Sequence, residues 1–132
     1  ADLRPLEQLD KLQWADLRDC SAVEDLSPLG SLTALRWLDL GGCTTLTDLA
    51  SLANLDRLQA LVLHGCTGLT DLTPLGAARS LRYLVLTDCI HVTDLRPLAV
   101  LSGGGTAWVS GSGIRSVPPG LRWNVVGLDT RL

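Results

Sequence analysis

Four cysteines are the residues of this 132-residue chain whose type and spacing first suggest chemistry, because thiolates bind zinc and pair as disulfides. They recur at one constant interval, as Cys20, Cys43, Cys66 and Cys89. This spacing places one cysteine in each unit of a repeat, in a line at about one strand separation, ~5 Å. A line of four cannot form zinc's tetrahedron, and parallel Cβ vectors disfavour disulfide torsions. We therefore expect a ladder of free buried thiols, no metal and a reducing, cytoplasmic location.

The two histidines are the other candidates for catalysis. His64 and His91 belong to different repeat units and different faces. No Cys, Ser or carboxylate forms an evident triad with either of them. The glycines from Gly103 to Gly105 lack the lysine and the strand–helix context of a phosphate-binding loop. We expect no catalytic residue, no cofactor and no enzymatic activity.

The composition indicates how the chain builds the elements that carry these residues. It has thirty leucines, no Phe, no Met and only five aromatic residues, which favours a core of stacked, similar layers. An apolar fraction of 46% with 19% charged residues excludes intrinsic disorder. No apolar run approaches the ~20 residues of a membrane-spanning helix. A net charge of −3 and a pI near 5.1 argue against a nucleic-acid partner, and we expect no membrane partner either.

The interval between the cysteines is a 23-residue period that extends far beyond them, and a fixed period decides the fold. Leu12, Leu35, Leu58 and Leu81 follow it, and so does a series of aspartates from Asp2 to Asp94. The segment from Leu35 reads L-R-W-L-D-L-G-G-C, and that from Leu81 reads L-R-Y-L-V-L-T-D-C. The segment after a cysteine runs apolar-x-D-L-x-P-L, as from Val92 to Leu98. No insertion interrupts the register from Asp2 to Leu101.

These segments resemble the leucine-rich-repeat family, whose consensus is L-x-x-L-x-L-x-x-N/C-x-L. The T-D-L-x-P-L tail is also similar to the short phosphatase-regulator-like class and to sensor repeats of bacterial NACHT-type NTPases. The resemblance implies an α/β fold, a right-handed solenoid with a parallel β-sheet on its concave face and short 3₁₀ or α turns on its convex side.

The residues of each unit agree with that fold. A short strand points two leucines inward, as Leu38 and Leu40 do, and the intervening residues outward. The aspartate of D-L-x-P-L fits the N-cap of a short helical turn, and the proline within that turn removes a donor that would be unpaired there. We therefore expect these carboxylates to be structural.

The repeat register divides the chain into two regions. Residues 1–102 form a partial unit and four 23-residue leucine-rich repeats, and the opening half-unit indicates a fragment of a longer protein. Residues 103–132 form a degenerate fifth repeat and a C-terminal cap, with Ala107 and Val109 inward and Ser112 at the cysteine position. Residues 121–132 are expected to end the cap with a last short strand of ambiguous register.

The third, fifth and seventh positions of each unit are expected to face the concave surface, and they hold four of the five aromatics. Trp123 joins them if Leu121 opens the last unit, and no aromatic lies at a position assigned to the core. Exposed aromatics beside valines are typical of binding surfaces, with charged neighbours such as Arg36 as a polar rim. The predicted partner-binding residues are Trp14, Asp16, Arg18, Trp37, Asp39, Val62, His64, Tyr83, Val85 and Trp108.

Two alternatives to a binding surface remain open for these aromatics. Trp14 and Trp37 would stabilise the sheet by stacking on each other, or the patch would pack against additional repeats or domains of the same protein.

The sequence therefore predicts a module that recognises a protein or peptide ligand through its concave face. By resemblance, it is the C-terminal sensor or autoinhibitory region of a bacterial NACHT-type signalling protein. The alternatives are the substrate-recognition region of a bacterial effector enzyme and a structural spacer.

Overall fold

Short strands recur at the spacing of the sequence repeat and pair in chain order. The structure, a computed structural model, describes residues 2–128. Its strands form one parallel sheet in which each strand pairs with the next along the chain. They are β1 (Trp14–Asp16), β2 (Trp37–Asp39), β3 (Ala60–Val62), β4 (Tyr83–Val85), β5 (Thr106–Trp108) and β6 (Asn124–Val126).

The inward leucines form a continuous column behind the sheet. Leu38, Leu61 and Leu84 are register partners in neighbouring strands, and all three are fully buried. The leucine two residues after each of them is fully buried as well. Because each unit exposes an apolar face that only the next unit covers, the stacking of units supplies the core. The predicted inward leucines are therefore confirmed.

A short 3₁₀ turn precedes each of the strands β1 to β5, on the side opposite the sheet. The turns span Arg4–Leu6, Ser27–Ser31, Ala50–Leu52, Thr73–Ala77 and Arg96–Val100. The aspartate before each turn is structural, but the predicted N-cap position is wrong by one residue: Leu26, not Asp25, is the N-cap. The Asp25 carboxylate instead accepts the backbone N–H of Ser27 at 2.9 Å, across the leucine. The other four aspartates of the series make the same bond at 2.8–2.9 Å.

The cysteines form the expected ladder of thiols. All four are free; Cys43, Cys66 and Cys89 are buried, and Cys20 is half-buried. The Cys66 and Cys89 thiols donate hydrogen bonds to carbonyls of the preceding unit, at 3.2 and 2.9 Å. Burial raises the pKa of Cys66 to about 12 and that of Cys89 to about 11. The thiols therefore act as small buried donors between units.

The last unit is shorter than the others. β5 begins at Thr106 and β6 at Asn124, a smaller step than the 23-residue period that separates the starts of the earlier strands. Ala107, Val109 and Ser112 are buried as predicted. Residues 129–132 of the expected cap lie outside the described part of the chain. No helix among residues 2–128 has the length and apolar content needed to cross a bilayer.

Trp123 is buried, and the condition under which it would join the concave aromatics, that Leu121 opens the last unit, is not met. β6 aligns Asn124, not Trp123, with Thr106, which means that Arg122 rather than Leu121 opens the unit. Trp123 is only 4% exposed and belongs to the buried apolar core, where its indole N–H has no hydrogen-bond partner among the described residues. One aromatic therefore does belong to the core, as a cover for the end of the solenoid.

Candidate functional site on the concave face

The outward aromatics of the sheet form two stacked pairs. Trp14 and Trp37 are register partners at the first residues of β1 and β2, with ring centroids 4.5 Å apart and planes inclined by 28°. Tyr83 of β4 and Trp108 of β5 stack at 6.4 Å and 21°. Stacking leaves much of each pair uncovered, since Trp14 is 61% and Tyr83 is 54% exposed. The fold thus brings together all four aromatics predicted for this face.

A notch separates the two aromatic pairs. Ala60 is the register partner of both Trp37 and Tyr83, and its methyl group fills little of the space between them. The resulting depression has a volume of about 410 Å³, and the half-buried Val62 and Val85 form its floor. Its lining is Arg36, Trp37, Gln59, Ala60, Leu61, Val62, Tyr83 and Val85.

Ala60 and Gln59 line the notch but are not among the predicted binding residues. The available signal was a small residue at a repeat position that holds aromatics in three other units. The notch follows from that contrast in side-chain size along one row of the sheet.

The polar residues near the strand ends of β1 and β2 are engaged with one another. The Arg18 guanidinium donates two hydrogen bonds of 2.9 Å to the Asp16 carboxylate and thereby lowers the pKa of Asp16. Arg18 Nε also lies 3.7 Å from Asp39 Oδ2. Asp39 is only 7% exposed, and its carboxylate accepts the backbone N–H of Gly41 at 2.8 Å. Of the predicted binding residues, Asp39 is therefore held inside the turn that follows β2.

His64 lies at the edge of the same face with two polar neighbours. Its Nδ1 shares a hydrogen bond of 2.6 Å with Thr87 Oγ1 and lies 3.9 Å from Asp88 Oδ2. A catalytic triad needs the nucleophile and the orienting carboxylate on opposite ring nitrogens. Here both neighbours approach the same nitrogen, so the cluster has the geometry of a surface polar contact.

Comparison with solved structures finds similar folds. An internalin from Listeria monocytogenes, inlF, has a TM-score of 0.78 at 26% identity over 96% of this chain and 38% of its own. Internalin C2, inlC2, of the same species has a TM-score of 0.77 at 28% identity over 95% of this chain and 58% of its own. No protein-family model matches the chain, and no curated protein sequence does. The 23-residue period, the single parallel sheet of short strands and the likeness to these two internalins identify the fold as a leucine-rich-repeat solenoid.

Proposed function

We propose that this solenoid is an interaction module that binds a protein or peptide through its concave face. The observation that carries the proposal is the apolar notch at Ala60, open to solvent between two stacked aromatic pairs. Large rigid aromatics around an apolar depression supply contact area at a low cost in conformational entropy. The mechanism is rigid shape complementarity on a preformed sheet, with no covalent chemistry.

Stacking within the sheet is the competing account of the aromatics. The 4.5 Å contact of Trp14 with Trp37 fits it, since cross-strand aromatic pairs stabilise sheets. It does not account for the notch, because a row built for sheet stability would gain from a larger side chain at Ala60. The parts of Val62 and Val85 that face the notch likewise add nothing to stability until a ligand covers them.

A capture experiment with matched variants tests this proposal. The bait is the wild-type chain, the W37A/Y83A variant, or a V100A control that trims a side chain 72% exposed in a 3₁₀ turn. We expect a partner from the source cells to bind wild type and V100A, and to be lost from W37A/Y83A. Loss of two aromatic anchors should weaken the purified complex by at least about a hundredfold. A partner retained equally by all three baits would refute a concave binding site.

The parent protein is proposed on the resemblance of the T-D-L-x-P-L tail. The chain spans 38% and 58% of the lengths of the two internalins, so activities of a whole protein are proposals here. We infer a sensor or autoinhibitory region of a bacterial, cytoplasmic signalling NTPase of the NACHT type. A G-x-x-x-x-G-K-[ST] motif upstream in the parent gene supports this, whereas an upstream domain with a nucleophilic cysteine supports an effector enzyme. A parent protein with neither the motif nor such a domain would favour the remaining alternative, a structural spacer.

A further inference from the structure

The two edges of the concave face differ in how their charges are balanced. Five arginines lie just before the strands, and none forms an ion pair with any described residue: Arg36, Arg57, Arg79, Arg82 and Arg122. Arg36 and Arg82 directly precede β2 and β4, whose first residues are the aromatics that flank the notch. Asp10 and Asp56 are on this edge too, grouped with Lys11 and Arg57 away from the notch.

The acidic groups on β1 and β2 at the opposite edge are compensated, because Asp16 is paired with Arg18 and Asp39 is buried on a backbone N–H. Asp19 and Asp88, in the turns after β1 and β4, have no arginine or lysine partner among the described residues. Neither of these two carboxylates lines the notch, whereas Arg36 does. The uncompensated charge nearest the notch is therefore positive, although the chain as a whole carries −3.

The notch itself has a single charged residue in its lining. Arg36 stands at its edge beside Gln59, and no carboxylate of the described residues lines it. The exposed guanidinium has free donors for a carboxylate, which it binds in a forked geometry. A ligand that places an apolar side chain on Val62 and Val85 would bring its neighbouring backbone and side chains within reach of this group.

We propose that the partner of the concave face is an acidic peptide segment with an apolar anchor residue. The anchor occupies the notch between Trp37 and Tyr83, and an adjacent carboxylate pairs with Arg36. This inference rests on the proposed binding function and adds the chemical class of the ligand to it. The net charge of −3 alone would favour a basic ligand. We infer an acidic one because the charge distribution around a site matters more for recognition than the total charge.

Blocked synthetic pentapeptides test this ligand class. The first has leucine between two pairs of glutamates, the second replaces the glutamates with lysines, and the third replaces the leucine with alanine. An octathymidine oligonucleotide is the fourth probe. Binding is followed by amide shifts of Ala60 and Val62 in NMR titrations. We expect the glutamate–leucine peptide to bind best, with affinity falling as salt rises and by about tenfold with either change of peptide.

Two exposed arginines provide matched variants. R36Q should weaken the glutamate–leucine peptide by about tenfold, the scale of one lost charge-assisted bond. R96Q removes a charge from a 3₁₀ turn, where it is paired with Asp94, and should leave the affinity unchanged. Far-ultraviolet circular dichroism of both variants verifies that they fold.

The outcomes separate this inference from the binding function beneath it. If the lysine peptide binds as tightly and W37A/Y83A abolishes its binding, the concave site stands and the acidic ligand class is wrong. Displacement of the peptide by octathymidine also overturns the inference in favour of a nucleic acid. Absence of any shift at Ala60 with the glutamate–leucine peptide overturns it as well, while the capture experiment decides on the binding function independently.

Discussion

One backbone position after each of the strands β1 to β5 has a left-handed conformation, and the residue type at this position depends on the residue one unit earlier. Asp19, Gly42, Gly65, Asp88 and Gly111 occupy it, with φ between 60° and 76°. Each aspartate is followed one unit later by glycine, because a Cβ on Gly42 or Gly111 would collide with the carboxylate of the preceding unit. Gly65 follows a glycine, and a Cβ there would meet nothing closer than a backbone nitrogen at 4.0 Å. Neighbouring units therefore constrain each other through single residues.

Alanine substitutions separate backbone strain from this collision. Both G42A and G65A place a Cβ in the left-handed region, at a cost of about 1–2 kcal/mol in the free energy of unfolding. G42A should lose more than G65A, since the Asp19 carboxylate must also move. In a D19G background, G42A should cost no more free energy of unfolding than G65A, because no carboxylate has to move. A double-mutant cycle measured by urea unfolding detects this coupling. Equal losses for G42A and G65A in the wild-type background would contradict the coupling.

The buried thiols predict a pH dependence of stability in the alkaline range. Burial raises the pKa of Cys66 to about 12 and of Cys89 to about 11, from 9.0 in the unfolded chain. The folded state favours the protonated thiol, so this stabilisation is fully present below pH 9 and is lost as the pH rises towards 12. The urea midpoint should therefore fall between pH 8 and pH 10.5. A C66A/C89A variant serves as the control and should show a smaller fall.

Thiol reactivity checks the same ladder at neutral pH. Ellman's reagent should modify the half-buried Cys20 in the folded chain and leave the three buried cysteines unreacted. All four should react in denatured, unreduced protein. Fewer than four reactive thiols after denaturation would indicate a disulfide and would remove the argument for a reducing compartment.

At the scale of elements, each 3₁₀ turn is anchored by the aspartate two residues before its first N–H donor. Asp71 shows this best, because its Oδ1 accepts bonds from both the hydroxyl and the backbone N–H of Thr73, which lower its pKa. Five such anchors in register fix where each unit turns back. The turn at Ala50–Leu52 forms without proline, so the aspartate is the more general of the two signals.

Replacement of Asp71 tests the anchor. D71A leaves the Thr73 N–H without its acceptor and should lower the urea midpoint at pH 7, whereas D71N keeps an oxygen acceptor and should lower it less. D56A is the control, because the Asp56 side chain has no hydrogen bond or ion pair within residues 2–128. The lowered pKa of Asp71 means that its stabilisation is present above pH 3.8 and is lost as the pH falls below it. A midpoint of D71A equal to that of D56A would remove the anchoring role.

The elements that the sequence predicts well are those fixed by the repeat. Period and alternation place the strands, the inward leucines and the aromatics of β1 to β5, because one register satisfies every unit at once. The register of the last strand is ambiguous from sequence because the final unit is shorter, and apolar residues at both Leu121 and Trp123 fit either alignment. The burial of Asp39 could not be predicted, since it depends on the turn that aims the Gly41 amide at its carboxylate.

At the scale of the whole molecule, stability is distributed unevenly along the solenoid. Leu61 lies in a central strand and is fully buried, whereas Leu12 of the first unit is half-buried at the edge of the sheet. A solenoid is stabilised by contacts between adjacent units, so an internal position with neighbours on both sides contributes more.

L61A and L12A measure that difference. L61A should cost about 2–5 kcal/mol in the free energy of unfolding, the usual range for a buried leucine. L12A should cost less than half as much, because fewer contacts are lost and water already reaches the site. Urea unfolding followed by tryptophan fluorescence compares the two. A larger loss for L12A would mean that the first unit, not the centre, holds the structure together.

Because β2, β3 and β4 pair strictly in register, genetic recombination that removes or adds one repeat would change the recognition surface and keep the sheet. Excision of residues 47–69 removes one whole repeat and joins Leu46 directly to Thr70. Thr70 occupies the same position of the 23-residue period as Thr47, so the register is kept. β2 would then meet β4, so Trp37 would lie beside Tyr83 and the gap at Ala60 would disappear. At the left-handed position after each strand, Asp88 would then follow Gly42 instead of Gly65. Because both are glycines, the Asp88 side chain would still meet no carboxylate of the preceding unit. Unequal crossing-over by a single repeat length could thus delete the binding notch, or duplicate it, without altering the fold.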